Sequence, residues 1–547
     1  MEKASSSNDY SAAQPELSAT REDDVTRPQA KKHHSFYLSI LMLTMIALIV
    51  AWDATALSLA LPVIAEQLHA TNFQSFWASI AFILGIAVTQ PIYASISDVV
   101  GRKPTLYASV ILFGIGSVVF ATAKDMNIVV AGRLIKGLGA GGLDVLQSII
   151  LCDITTMKER PRWLGVMSMA NAVGAVTGPF IGGVFAQHIG WPWLGWINLV
   201  VVGITGVLTF FFLHLTPIEG NLMENMRKLD WCGFALFTII GTTIALPLSW
   251  ATTLYPWGSW QTLVPLLTGL LLLIPFGFIE RRSAAPMIPY QAAKNISIIA
   301  GCMGGFVYGS LLNSILLYLP LFYQAVYLET PLEAAKSTLP LCCLVVAMSI
   351  IVSVLIDRIR KYRLALWTGW TLTTIFLGLS YTIGAESSRA HAYAFQALLG
   401  AGLGISMMAG LIAVLANVEK VDDEGQVVGM LVTARFLGSL IGLTICSTVF
   451  SSMFHKSLSS LKTLPEQVAV LEDASQAVGF IPRLREIQVP EDIMHRVIGA
   501  YEDAFQTIWV VLAALAALGV LAALCMKERS LEKEDTGRQG FKAPSSE

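Results

Sequence analysis

Five ionisable side chains stand inside long apolar stretches of this chain: Asp53, Arg133, Lys136, Asp144 and Arg435. A charge at bilayer depth costs about 2.5–3.5 kcal/mol even on the insertion scale, so a buried ionisable group usually binds a ligand, relays a proton or pairs. Asp53 lies about 4.5 residues past the middle of the run 36–61, about 7 Å toward the outer face. Arg133 lies about 5.5 residues from the middle of the oppositely directed run 127–150, about 8 Å toward the same face. The two are expected at one depth, where they can pair. Such a pair can be purely structural. It can also couple protons, because a carboxylate with an arginine alternately near and far holds its proton in one state and gives it up in the other. Asp144 sits two turns from Lys136 on the same helix, toward the cytosol, with cation recognition or proton exit both open to it. Arg435, near the middle of the run 426–450, could face a substrate, meet an acidic partner or anchor a helix.

The elements that must hold these groups are membrane spans. Only 14% of the 547 residues are charged, against roughly 25% in a soluble domain. Residues 1–35 carry eleven charges and 527–547 carry ten, so the middle cannot form a water-facing surface. A span needs about 20 apolar residues. Such runs fall near 36–61, 76–97, 104–123, 127–150, 164–187, 193–213, 232–251, 260–279, 298–323, 334–356, 364–384, 392–416, 426–450 and 505–526, fourteen in all. With the N-terminus inside, the short cytosolic loops hold fifteen Lys and Arg, and the short outer loops only Lys124 and Arg389. The positive-inside rule therefore puts both tails in the cytosol and the long segment 451–504 outside. Residues 1–35 read as a disordered tail, and the first run as an uncleaved span rather than a signal peptide.

Net charge is −2 and gives no basis for nucleic-acid binding. The seven cysteines show no CxxC and read as small core residues, and the eight histidines are scattered, so no metal site, disulfide framework or cofactor is expected. The sequon Asn295–Ser297 falls on the cytosolic side, where it would not be glycosylated. SDVVGRK (Ser97–Lys103) after span 2 and IDRIRKYR (Ile356–Arg363) after span 10 each put an Asp at a helix end with basic residues just beyond. That repeat divides the chain into a six-helix half, 36–213, a linker with two extra spans, 214–297, and a second half, 298–526. Duplicated halves around a midplane site are a secondary-transporter architecture.

YASISDVVGRKPTL (Tyr93–Leu106) closely resembles the signature loop of the major facilitator superfamily, G-x-L-S-D-x-x-G-R-K. Asp98, Gly101, Arg102 and Lys103 match it, and Ala94 stands in place of a glycine, a change expected to loosen packing between span 2 and its neighbour. AGRLIKGLGAGG (Ala131–Gly142) is similar to the span-4 motif R-x-x-Q-G-x-G-A, with Lys136 in place of Gln. NAVGAVTGPFIGG (Asn171–Gly183) resembles the span-5 antiporter motif through Gly174, Gly178, Pro179, Gly182 and Gly183. WDATALSLALP (Trp52–Pro62), LDWCG (Leu229–Gly233) and WPWLGWINL (Trp191–Leu199, Pro192 replacing Arg) are similar to segments of the fourteen-helix drug:proton antiporter branch, especially its fungal members. Asp357 and Arg435 stand where that resemblance resumes.

The resemblance implies an all-α polytopic membrane protein of the major facilitator fold, not an enzyme, working as a monomer in the plasma or vacuolar membrane. It implies proton-coupled export of small hydrophobic drugs, toxins or secondary metabolites by alternating access. In that scheme Asp98, Gly101, Arg102, Lys103 and Asp357 form the conformational switch; from the intramembrane charges themselves, Asp53 and Arg133 are the candidates for proton coupling, with Asp144, which has no acidic counterpart in the family motif, as a third. Lys136, Asn171 and Arg435 are the candidates for substrate contact. On its residues alone, span 5 offers Gly174, Gly178 and Gly182 four apart on one face for close helix approach, and Pro179 favours a kink. That face is expected to slide or seal against a partner during rocking, or simply to pack. A vacuolar carrier of basic amino acids and a transporter-like nutrient sensor remain as alternatives.

Overall fold

The computed structural model describes residues 34–70, 72–216, 226–227, 229–251, 255–282, 294–419, 423–458, 468, 471, 477–485, 487 and 489–531. The expected N-terminal tail, most of the C-terminal one and much of the linker lie outside the described residues. Lipid offers the backbone no hydrogen-bonding partner, so the apolar runs close their own bonds as helices. They are α1 (His34–Gln67), α2 (Asn72–Val100), α3 (Arg102–Ala121), α4 (Met126–Ile154), α5 (Arg160–Val184), α6 (Trp193–Phe212), α7 (Trp231–Trp250) and α8 (Trp260–Arg282). After the linker follow α9 (Ile296–Val326), α10 (Leu339–Ile359), α11 (Arg363–Ser380), α12 (Arg389–Ala416), α13 (Glu424–Leu458) and α14 (Glu491–Cys525). Twelve helices, among the described residues, are long and apolar enough to cross a membrane. α5 and α11 are not among them: Asn171, Pro179 and several glycines dilute α5, and α11 has only 18 residues, with Arg363 and four threonines.

Two halves with one packing scheme emerge. In the first, α1 packs on α5 and α6, and α4 lies between α2 and α3, with α3 also on α6. In the second, α9 packs on α13 and α14, α12 lies between α10 and α11, and α11 also meets α14. The halves meet along two seams, α2 against α13 and α5 against α10. α7 packs on α2, α8 and α13, outside the first seam, and α8 turns Leu267, Leu271 and Ile274 outward as a lipid-facing stripe would. Small residues permit the closest crossings. A Cβ at Gly137 or Gly139 of α4 would overlap the backbone of Phe82 or Phe113.

Two expectations change. The segment 451–504 is not simply a loop: α13 runs on to Leu458 and α14 starts at Glu491. Between them a short helix, Ala477–Phe480, is held by Tyr501, whose hydroxyl donates to the Ala477 carbonyl at 2.6 Å. A separate short helix, Pro331–Ser337, precedes α10. Of the cysteines, only Cys152 and Cys446 are buried, and Cys232, Cys343 and Cys525 are exposed on the protein's outer surface. Asn295 of the sequon caps α9, accepting from the Ser297 N–H and donating to the Asn417 carbonyl, both at 3.0 Å.

Candidate coupling site and interlock between the halves

Asp53 on α1 is held by two cations of α4. Arg133 Nη1 donates to Oδ2 at 2.8 Å and also to the Asp53 carbonyl at 3.1 Å. Lys136 Nζ pairs with Oδ1. The spacing explains this: residues three apart on a helix share a face, so Arg133 and Lys136 reach the same carboxylate. Asn198 of α6, which the sequence analysis did not single out, donates to Oδ1 at 2.7 Å. Arg133 also lies over the Phe82 ring at 4.3 Å, and Lys136 over Phe120 at 4.8 Å. The cluster is dry, with Asp53 6%, Arg133 2%, Lys136 1% and Asn198 3% exposed. Two cations on one carboxylate leave it with one positive charge in excess. Lys136 is therefore engaged by Asp53 and roofed by the Phe113 and Phe120 rings in this conformation.

The glycine stripe of α5 backs onto this cluster from behind. Cβ atoms at Gly174, Gly178 and Gly182 would overlap Leu48, Thr55 and Ala56 of α1. Its partner is thus α1, a helix of the same half. Gly183 is half-buried beside it, and Pro179 lies in α5 with its side chain outside the described residues. Asn171 is half-buried and makes no side-chain hydrogen bond among the described residues.

Asp144 is not part of the Asp53 cluster. Gln90 of α2 donates to its Oδ2 at 2.7 Å and Gln147 to its Oδ1 at 3.0 Å. The charge acting on it comes from the other half: Arg435 of α13, which packs against α4. Arg435 lies 5.4 Å from the Tyr308 ring centroid.

At the turn between α2 and α3 Arg102 pairs with Asp98 and, at 2.9 Å, with Asp153 at the end of α4, and donates to Ser97 Oγ at 2.6 Å. Asp153 is the second missed residue. Gly101 has φ 111°, the left-handed region that glycine reaches without strain, and turns α2 into α3. Lys103 Nζ donates to the carbonyls of Phe210 and Leu213 and so caps the C-terminal end of α6. A Cβ at Gly425 would come 2.9 Å from Arg102 Nη2, so the first turn of α13 sits directly on this loop. The expected loosening at Ala94 does not occur: Gly429 of α13 faces it and supplies the missing space from the other side. Asp357, the counterpart of Asp98, pairs with Arg360 at 3.2 Å and remains partly exposed.

The two halves are locked together at this end. Arg160 of α5 pairs with Glu424 of α13 at 3.1 Å, both buried. Arg360 Nη1 donates to the Lys158 carbonyl at 2.6 Å, and Ser353 Oγ to the Pro161 carbonyl. These contacts close the seam between the halves at this end.

Paired helical halves, a buried charge cluster and a closed end define a multi-pass membrane transporter. The family model described as "Major Facilitator Superfamily" matches residues 43–443. The chain is 41% identical to the MFS-type transporter sphD of Aspergillus fumigatus, over 95% of this chain and 90% of that protein. It is 32% identical to the MFS-type efflux pump MMF1 of Mycosarcoma maydis (94% and 83%) and 30% identical to the efflux pump FUS6 of Gibberella fujikuroi (96% and 94%). Among solved structures, the human organic anion transporter MFSD10 superposes with a TM-score of 0.59 at 14% identity, covering 90% of this chain and 100% of that one. The proton:xylose symporter XylE superposes at 0.58 with 12% identity, covering 91% and 98%. At such identities these two speak for the fold alone. This chain belongs to the major facilitator superfamily.

Proposed function

We propose that the protein exports small hydrophobic organic compounds across the plasma membrane, driven by protons entering through the Asp53 cluster. In this reading fourteen helices span the membrane, α5 and α11 included, and a single chain is the working unit. One observation carries it: a buried carboxylate held by two buried cations, one proton richer than neutrality requires. A net charge in hydrocarbon is costly. In the cytosol-closed state the extra proton rests on Lys136, balanced in part by Asp53. Opening to the cytosol lets Lys136 release it and leaves a neutral cluster of Asp53 and Arg133. The interlock of Arg160 with Glu424 and of Arg102 with Asp98 and Asp153 then forms and breaks once per cycle. The names of relatives such as MMF1 and FUS6 support export as the direction.

Transport of basic amino acids fits less well. Asp53 is already occupied by two cations, and Asp144 by two amides within the field of Arg435, so neither carboxylate is open to a cationic substrate. The test is deletion of the gene in its host followed by metabolite profiling with and without a protonophore. The deletion strain should retain hydrophobic metabolites that the parent excretes, and the protonophore should produce the same retention in the parent. Identical profiles in deletion and parent would overturn the proposal.

A further inference from the structure

The two seams between the halves are built on one plan. A Cβ at Gly429 of α13 would lie 2.9 Å from Ala94 Cβ, and one at Gly165 of α5 would lie 3.2 Å from Ser353 Cβ. Ala94 and Ser353 each stand four residues before the Asp of the repeated loop, Asp98 and Asp357. The two contacts are therefore equivalent places in the two halves, yet only the first seam has a helix outside it. Phe234 and Ile240 of α7 share an apolar cluster with Ile92, Ile96 and Val99 of α2. Farther along, Ala245 joins Leu84 and Val88 of α2 and Leu440 of α13 in one buried cluster. At its far end α7 touches both halves. Trp250 meets Trp77 of α2 edge-on, ring centroids 6.4 Å apart. Thr444 Oγ1 of α13 donates to the Leu248 carbonyl at 2.6 Å, and Trp257 Nε1 donates to Thr448 Oγ1 at 3.1 Å. A carbonyl in the last turn of a helix lacks an intrahelical partner, so the second half caps a helix that otherwise rides on the first.

The second seam is bare. Beside its glycine contact Met169 of α5 is 46% exposed, and Ile351 and Val354 of α10 are 53% and 54% exposed. Ile92, two residues before Ala94 as Ile351 is before Ser353, is packed beneath α7 instead. Two hydrogen bonds to backbone carbonyls hold the second seam, from Ser353 to Pro161 and from Arg360 to Lys158. Directly behind it lie Leu164, Met167 and Ser168 of α5, all buried, with Ser168 Oγ 3.8 Å from Met408 Sδ of α12. Methionine is flexible and fits irregular apolar shapes, so this interior suits an apolar solute better than a polar one.

We infer that the seam between α5 and α10 is a lateral portal for apolar compounds dissolved in the bilayer leaflet beside the interlock, and that α7 seals the equivalent seam between α2 and α13. Release of the interlock opens the portal. α7, riding on α2 and fastened to α13 at its far end, screens the other seam from lipid. An apolar compound leaves water for the bilayer, so an entrance at bilayer depth meets it where it is concentrated. As a route for exported compounds this rests on the export reading; as a lipid-facing opening it stands alone.

The test is photolabelling of the full chain in phosphatidylcholine nanodiscs with (trifluoromethyl)(iodophenyl)diazirine, a small apolar reagent that partitions into the bilayer, followed by peptide mapping. Glu424→Gln weakens the hold of α13 on Arg160 and loosens the interlock. In that variant labelling of Leu164 and Met167 should rise about tenfold over the parent, the shift expected from losing one charge-assisted hydrogen bond. Leu84 and Val88 beneath α7 should stay unlabelled. Adding Gly165→Cys with Ser353→Cys and oxidising should return Leu164 and Met167 to the parent's level, and reduction should restore the rise. Label that reaches them whether or not the seam is cross-linked comes from misfolding or another route, and would overturn the inference. Thr444→Val with Trp257→Phe frees α7 from α13, and in the Glu424→Gln background should admit label to Leu84 and Val88. Continued exclusion there would overturn the role given to α7. Equal labelling of both seams in Glu424→Gln, or none at either, would overturn the portal itself. Labelling requires no transport, so a failed portal leaves export standing with entry from water, and a failed export test leaves the labelling result intact.

Discussion

Asp53 and Asn198 are 145 residues apart in sequence, and the amide of one donates to the carboxylate of the other at 2.7 Å. Asn198 thereby brings α6 to the ion cluster that α1 and α4 build, so three helices of one half share a single carboxylate. Asn198→Ala should lower thermal stability by about 1–3 kcal/mol, the cost of an unmade bond to a charged group. It should slow export without abolishing its dependence on the pH gradient. A melting curve in nanodiscs reads the first effect and vesicle flux the second.

Lys136→Gln restores the residue usual at this motif position and removes the excess charge. The variant should fold at least as stably as the parent, because a buried net charge is gone. It should exchange substrate downhill yet fail to accumulate it against a gradient. Full gradient-driven accumulation would place the exchangeable proton elsewhere.

Gly178→Leu tests the α5 stripe. Its first added carbon already overlaps Thr55, two residues from Asp53. Because the stripe packs within one half, the substitution should destabilise the fold by about 1–3 kcal/mol, the usual cost of overpacking, and lower the amount of protein in the membrane. Normal abundance with transport alone abolished would restore the sliding interpretation.

The interlock can be trapped. A Cβ at Gly165 would lie 3.2 Å from Ser353 Cβ, close to disulfide spacing. The pair Gly165→Cys with Ser353→Cys should cross-link under mild oxidation, arrest transport and recover on reduction. Adding Glu424→Gln should slow cross-linking, since Arg160 then loses its partner on α13 and the closed state is destabilised by about 2 kcal/mol.

Much of this site was legible in the sequence because charge inside an apolar run is rare. Asp53 and Arg133 could be matched by depth from the helical rise alone, and they are found paired. Asn198 escaped notice because a neutral amide in an apolar run carries no comparable signal, although it lies in the quoted segment Trp191–Leu199. Asp153 escaped because it falls at the end of a run, where a charge is ordinary. The glycine stripe showed a face but not its neighbour: only packing reveals that α5 turns Gly178 to α1 and Gly165 to α10. The relation of Asp144 to Arg435 required knowing that α4 meets α13 across the halves. Fold class followed more readily, since fourteen apolar runs and a repeated loop already imply two halves.

The most direct measurement is uphill flux in proteoliposomes with an imposed pH gradient, comparing the parent with Asp53→Asn, using a compound that the deletion strain retains. Asn keeps the shape but removes the counter-charge, so Lys136 beside Arg133 no longer holds the exchanged proton in the closed state. The parent should concentrate the compound in the vesicles when the gradient is applied, and Asp53→Asn should only equilibrate it. Undiminished accumulation by Asp53→Asn would contradict the assignment of coupling to this cluster.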